Sequence, residues 1–511
     1  MRESGILMHI TSLPGPYGVG TMGKEAFRFV DFLKEAGQTH WQILPLTPTG
    51  YGDSPYQSCS AYAGNPYLID LEQLVRDGLL KKAELKAITW NNREDRVDFG
   101  ILYNNRMAVL RKAFARFVDT DESFAKFRAQ NDSWLPSFAH FMALKEKFNG
   151  QPWYQWEDGL KFRKRKALSA SFCELAEQIQ FYCFVQYLFD KQWKALREYA
   201  HAAGVKIIGD VPIYVPYDSV EVWCDPALFQ LDENLTPTAV AGCPPDAFSA
   251  DGQLWGNPLY RWDVMKKNGF AWWIRRLAAA QQRYDVVRFD HFRGFEAYWS
   301  VPYGEKTARS GQWVKGPDMP FIKAVQKNLP ELKLIAEDLG FLTQEVLDMR
   351  DASGYPGMKV LEFAFYSAEP SDYAPHNHIR NAVCYIGTHD NVTARQWFEE
   401  TDAVTLQYAS SYMALNQQEG QVWGMIRTAM SSVCDMCILQ LQDCLELGSE
   451  ARMNSPGLLT DANWTWRVQP GYDRPELVEK LRELTRRYGR LGNQIASNSE
   501  EDPQLDHKNG E

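Results

Sequence analysis

The chain has 511 residues, long enough for one large barrel with insertions or for two to three ordinary domains. It is 45% hydrophobic and 23% charged, a globular composition, and its net charge of −10 argues against a nucleic-acid or anionic-membrane partner, because phosphate is held by a basic surface. No run reaches membrane-spanning length, the opening MRESGILMHITSLPG lacks the apolar core and cleavage site of a signal peptide, and the nine cysteines form no disulfide framework, so a cytoplasmic protein with reduced thiols is expected.

GILMHI reads as a short strand, TSLPGPYGVG as a loop, and KEAFRFVDFLKEAG as a helix with Ala26, Phe29, Val30, Leu33 and Ala36 on one face and Gly37 as its stop. WQILPL is the next strand, and a strand–helix–strand unit of this kind belongs to a parallel sheet. PTGYGDSPYQSCSAYAGNPYLID follows, dense in Gly, Pro, Ser and Tyr, a long loop of the sort that carries function. Residues 71–200 read as a mainly helical insertion, closed by a long helix ending at Gly204. The α/β rhythm returns with VKIIGDVPIYV, is interrupted by an irregular excursion over 217–265, and continues through VVRFDHF, LKLIAEDLG, MKVLEFAF, AVCYIGTHD and MCILQLQDCL, with helices between them. Two helices, near 403–416 and 420–432, precede the last strand. Eight strands predict an α/β fold, a closed (β/α)8 barrel with helical and loop insertions forming subdomains. The expected organisation is a barrel start and Tyr-rich loop over 1–70, the helical insertion over 71–200, the rest of the barrel over 201–495, and a polar tail over 496–511. Cys434 and Cys437 form a CxxC with no second pair or nearby His, which reads as packing.

Three of the predicted strands stop on a carboxylate: VVRFD at Asp290, KLIAE at Glu337 and AVCYIGTHD at Asp390. In a parallel barrel all strand C-termini open on one face, so the three acids share a mouth. Arg288 lies two residues before Asp290, on the same face of the strand, and a cation beside a carboxylate favours the ionised form that a nucleophile needs. Glu337 is followed by Asp338, and burial with a like charge nearby raises a carboxyl toward the range of a general acid. His389 stands beside Asp390, where both could meet hydroxyl groups. Each acid also has a plainer reading: an Asp–Arg structural pair, an acidic strand-to-loop transition, and for HDN a helix cap. Together they point to attack on a sugar acetal.

The chain resembles the 4-α-glucanotransferase (amylomaltase, disproportionating enzyme) family, through SGILMHITSLPGPYGVGTMG, WQILPLTPTGYGDSPYQS, IIGDVPIYV, PPDAFSADGQLWGNPLYRW, VRFDHFRGF, IAEDLG, GTHDN and RMNSPG…NWTWR, which span residues 4–467. The resemblance implies a (β/α)8 barrel that acts on α-1,4-glucans with retention. It implies Asp290 as nucleophile, Glu337 as acid/base and Asp390 as transition-state stabiliser. It further implies that Arg288 and His389 bind the sugar at the cleavage point, that Tyr56 stacks on that sugar, that Asp210 supports the site from the mouth, and that Phe248 and Trp255 of the active-site loop contact the acceptor. Asn454 and the Trp464–Arg467 stretch are placed where they could reach the site after the last strand.

The mechanism implied is a double displacement, with Asp290 and Glu337 carboxyls about 5–6 Å apart. A hydrolase with the same acids, and a non-catalytic glycan-binding protein, stand as alternatives. No cofactor or metal is implied, since the histidines lack ligand spacing. The expected partners are α-1,4-glucan donor and acceptor, with the protein a monomer or homodimer.

Overall fold

The computed structural model describes residues 2–50, 52–120, 122–245, 249–340, 342–366 and 371–492. Eight short parallel strands form one sheet: β1 Glu3–Leu7, β2 His40–Gln42, β3 Lys206–Val211, β4 Val286–Phe289, β5 Leu334–Ala336, β6 Gly357–Val360, β7 Ala382–Tyr385 and β8 Met436–Gln440. Each overlaps one of the eight apolar runs read from the sequence, and the first, second and sixth start one or two residues ahead of their run. Their spatial order follows the chain, with β8 pairing back onto β1 through Glu3↔Met436 to Leu7↔Gln440. The strands are buried on both faces, as a parallel sheet wrapped by helices requires.

The ladder has one seam, between β5 and β6. There the Ala336 N–H donates to the Pro356 carbonyl at 2.9 Å, and the Asp338 carboxylate, just past β5, accepts the Met358 N–H at 2.7 Å. Asp338 also pairs with Arg350 at 2.7 Å. Gly357 makes room for it, because a Cβ there would stand 2.4 Å from Asp338 Oδ2. The adjacent acids of the AED run thus turn opposite ways, as expected for neighbours on an extended segment.

Between β2 and β3 the chain is helical, ending in the 27-residue helix Ala176–Ala202. Two buried glutamines on that helix grip the Tyr-rich loop by its backbone. Gln186 accepts the Gly64 N–H at 2.7 Å and donates to the Gly64 carbonyl at 2.9 Å. Gln192 does the same with Asp70, at 2.6 and 3.2 Å. An irregular loop over the barrel mouth is thereby given partners for its polar groups.

The segment 217–265 differs from the irregular excursion expected. Ala239–Cys243 and Gln253–Pro258 form antiparallel strands that pair onward with Ala297–Pro302 and Gln312–Lys315 in a separate four-stranded sheet. Another helix, Ala394–Glu400, lies ahead of the two expected there. Its N-cap is Thr393, whose hydroxyl accepts the Gln396 N–H, so the HDN triplet is not a helix cap. Cys434 and Cys437 are buried in the core, and among the described residues no cluster of ligands could hold a metal. The tail expected over 496–511 lies outside the described residues.

Candidate active site

Asp210 and Arg288 are register partners on β3 and β4 and therefore share a face. Arg288 Nη1 bonds Asp210 Oδ2 at 2.7 Å and Asp290 Oδ1 at 2.9 Å, so one guanidinium nitrogen joins two carboxylates. Tyr56 from the Tyr-rich loop donates its hydroxyl to the same Asp210 Oδ2 at 2.8 Å. Burial, opposed by Arg288 and assisted by Asp290, pushes the Asp210 carboxyl up to about 7. Asp210 is thus the floor of the site, with its side chain sealed under Tyr56 and Arg288.

Glu337 follows β5 and meets the residues on both sides of Asp290. Its N–H donates to the Phe289 carbonyl at 3.1 Å, and its Oε2 accepts the His291 N–H at 2.7 Å. Its Oε1 accepts the Leu339 N–H at 2.8 Å. To offer its N–H this way, His291 adopts a left-handed φ of 52°, a conformation costly for a side-chain-bearing residue and concentrated at functional sites. Burial is the main cause that raises Glu337 to about 7; Arg288 opposes it and the Asp290 charge adds to it. The neighbouring like charge is therefore Asp290, while Asp338 is turned to the seam.

Asp390 stands within the loop after β7, its side chain 42% exposed against 26% for Asp290. Asn454 donates to its Oδ1 at 2.7 Å and also donates its N–H to the His389 carbonyl at 3.1 Å. Arg452 donates to the Asp390 carbonyl at 3.0 Å. His389 is buried, which lowers its pKa against the pull of Asp390, and its ring lies parallel to Tyr56 with centroids 5.2 Å apart. Trp464, itself at a left-handed φ of 66°, leans on both rings, at 5.8 Å from Tyr56 and 5.9 Å from His389.

Trp255, on the strand Gln253–Pro258, meets the His291 ring edge-on at 4.8 Å. The four-stranded sheet absent from the sequence reading is what carries it there. Phe248 lies outside the described residues. Of the residues named from sequence, the structure gathers Asp210, Arg288, Asp290, Glu337, Tyr56, His389, Asp390 and Trp255 at one end of the barrel, and Asn454 and Trp464 join them. Arg467 does not; it donates to the carbonyls of Leu13 and Gly15. Arg452 was not singled out from sequence, although it belongs to the same RMNSPG run as Asn454.

A parallel (β/α)8 barrel that brings carboxylates from the ends of β3, β4 and β5 around one arginine, with a fourth from the loop after β7, defines an enzyme whose site suits nucleophilic and acid/base chemistry on a polar substrate. Comparison with known proteins narrows the class. The sequence model of the 4-alpha-glucanotransferase family matches residues 8–473. The chain is 48% identical over 486 residues to the 4-alpha-glucanotransferase of Clostridium butyricum, covering 94% of this chain and all of the relative. It is 46% identical over 502 residues to that of Thermus thermophilus, covering 96% and 99%. Among solved structures, the amylomaltase of Streptococcus agalactiae in complex with acarbose superposes with a TM-score of 0.93 at 41% identity, covering 96% of this chain and all of that one. The chain belongs to the 4-alpha-glucanotransferase family.

Proposed function

We propose that this glucanotransferase moves segments of α-1,4-glucan from one maltooligosaccharide, starch or glycogen chain to the 4-hydroxyl of another by a retaining double displacement. Asp290 attacks the anomeric carbon while Glu337 protonates the departing glycosidic oxygen. A covalent glycosyl–enzyme forms and the leaving glucan departs. Glu337, now ionised, takes the proton of the incoming 4-hydroxyl, and the Asp290 ester bond breaks. Two inversions return the original configuration. Asp390 stabilises the oxocarbenium-like charge between them.

The observation that carries this reading is the linkage of Asp290 and Glu337 through the His291 peptide, with Arg288 compensating the Asp290 charge and Glu337 held at about 7. An ionised nucleophile and a protonated acid beside each other are what the first step needs. Arg288 and His389 bind the sugar at the cleavage point, and Tyr56, fixed through Asp210 and His389, forms its stacking wall. Trp255 holds the acceptor, and Phe248 is assigned an acceptor contact from the family pattern alone. Holding the acceptor against the intermediate favours transfer over attack by water.

A cytoplasmic location fits the absence of disulfides among the described residues, where no helix is long and apolar enough to cross a membrane. The test of function is the product pattern from maltotriose, run with wild type and Asp290→Asn. Transfer yields a ladder of longer oligosaccharides plus glucose, lost in the variant. Products that are only shorter would replace the reading with hydrolysis.

A further inference from the structure

We propose that Glu362 is a positioning residue for the turn that carries His389 and Asp390, acting through Asn391. The inference rests on the reading of Asp390 as a stabilising group. Glu362 lies just past β6, is 2% exposed, and takes no direct part in the chemistry described above. Its N–H donates to the Ile386 carbonyl at 3.1 Å, which fastens it beside the end of β7.

The side chain of Asn391 is the link. Its Oδ1 accepts the Thr388 N–H at 3.0 Å and the Thr388 hydroxyl at 2.9 Å. A backbone N–H can only donate, so Oδ1 must face Thr388 and the amide nitrogen must face the other way. There it donates to Glu362 Oε2 at 3.1 Å. Thr388 Oγ1 in turn accepts the Asp390 N–H at 3.4 Å. The Thr388–Asn391 turn is therefore closed by its own asparagine and anchored from behind by one carboxyl oxygen.

Gly387 permits the approach. A Cβ on it would stand 2.7 Å from Glu362 Oε1 and 2.8 Å from Asn391 Cβ. The groups that bear on Glu362 electrostatically are Asp443 and Arg452; burial and the Asp443 charge together push its carboxyl well up, against Asn391 and Arg452. Asn391 uses a single acceptor oxygen of Glu362, and an amide oxygen can take its place. Asp390 reaches its place from a loop, and displacement of such a group by about 1 Å costs roughly 10²-fold in rate.

The experiment compares Glu362→Gln, Glu362→Met, Asn391→Ala and the Glu362→Met/Asn391→Ala double variant, with Asp390→Asn as reference. It measures kcat and KM on maltotriose and the thermal midpoint. Glu362→Gln should stay within about threefold of wild-type kcat. Glu362→Met and Asn391→Ala should each lose about 10- to 100-fold in kcat with little change in KM, because the stabilising group acts in the transition state. The double variant should lose no more than the worse single, as members of one chain do. Wild-type kcat in folded Glu362→Met, losses that multiply, or a Glu362→Gln as poor as Glu362→Met would overturn the proposal. Should Glu362→Met not fold, wild-type kcat in Asn391→Ala, at a half-buried position, overturns it alone. A fully active Asp390→Asn would instead remove the reading of Asp390; an inactive Asp390→Asn beside an unaffected Glu362→Met sinks only the positioning role.

Discussion

The peptide N–H of His291 donates to Glu337 Oε2 at 2.7 Å, which ties the proposed acid to the residue directly after Asp290. The Glu337 N–H also reaches the Phe289 carbonyl, on the other side of Asp290. Two strands that diverge in sequence by dozens of residues thus hold their terminal acids in one frame of backbone hydrogen bonds. Both acids are placed directly after two paired strands.

That frame sets the pH profile. Glu337 is raised to about 7, so the protonated acid is present below that value and disappears as pH rises through it. We expect kcat/KM on maltotriose to fall on the alkaline side with an apparent pKa near 7. Asp210 is raised to about 7 and faces the same Arg288, so the limb belongs to the pair and not to Glu337 alone. Glu337→Gln should lose about 10²–10⁴-fold in kcat and flatten that limb.

The same shifts affect stability with a definite sign. Both carboxyls bind protons more tightly folded than unfolded, so their contribution is complete below about pH 4 and is lost as pH rises through about 7. Urea midpoints for wild type should decline over this window more steeply than those of Asp210→Asn. Equal slopes would contradict the assignment.

Tyr56 does two separable things: its hydroxyl bonds Asp210 and its ring lies along His389. Tyr56→Phe removes only the first, a bond to an acid worth about 1.5–3 kcal/mol in stability, and should lower kcat/KM while the ring wall stays in place. Tyr56→Ala should cost more, because the ring wall goes too. Equal losses in the two variants would assign the whole effect to the hydroxyl.

Trp255→Ala removes the ring that meets His291 at 4.8 Å. Its proposed contact with the acceptor goes with it, so KM for acceptor should rise severalfold. The ratio of free reducing sugar to transfer product should rise with it. An unchanged ratio would place the acceptor elsewhere.

Asp338 closes the β5–β6 seam with Arg350 and the Met358 N–H. Its side chain is 2% exposed, and Asp338→Ala would leave a buried guanidinium and a backbone donor without it. The expected loss is about 3–5 kcal/mol in urea unfolding. A loss below about 1 kcal/mol would mean that Asp351, which also pairs with Arg350 at 2.7 Å, compensates.

The amino-acid sequence by itself determined the eight barrel strands and the acids at their ends. Buried parallel strands are short, almost wholly apolar runs, and a polar residue that stops such a run is conspicuous without any tertiary information. The pairing of Arg288 with Asp290 follows from their spacing on one strand. Only the tertiary structure decided the four-stranded sheet that carries Trp255, because AVAGC and QLWGNP lack a clean alternation, and the AVAGC–QLWGNP pair is extended on its far side by AYWSVP, itself paired with QWVK, far along the chain. The Glu337–His291 bond, the left-handed turn that permits it, and the support of Asp390 by Asn454, Arg452 and Asn391 are likewise long-range or conformational facts. They depend on which backbone donors a closed barrel leaves free at its mouth, and strand periodicity carries no record of that.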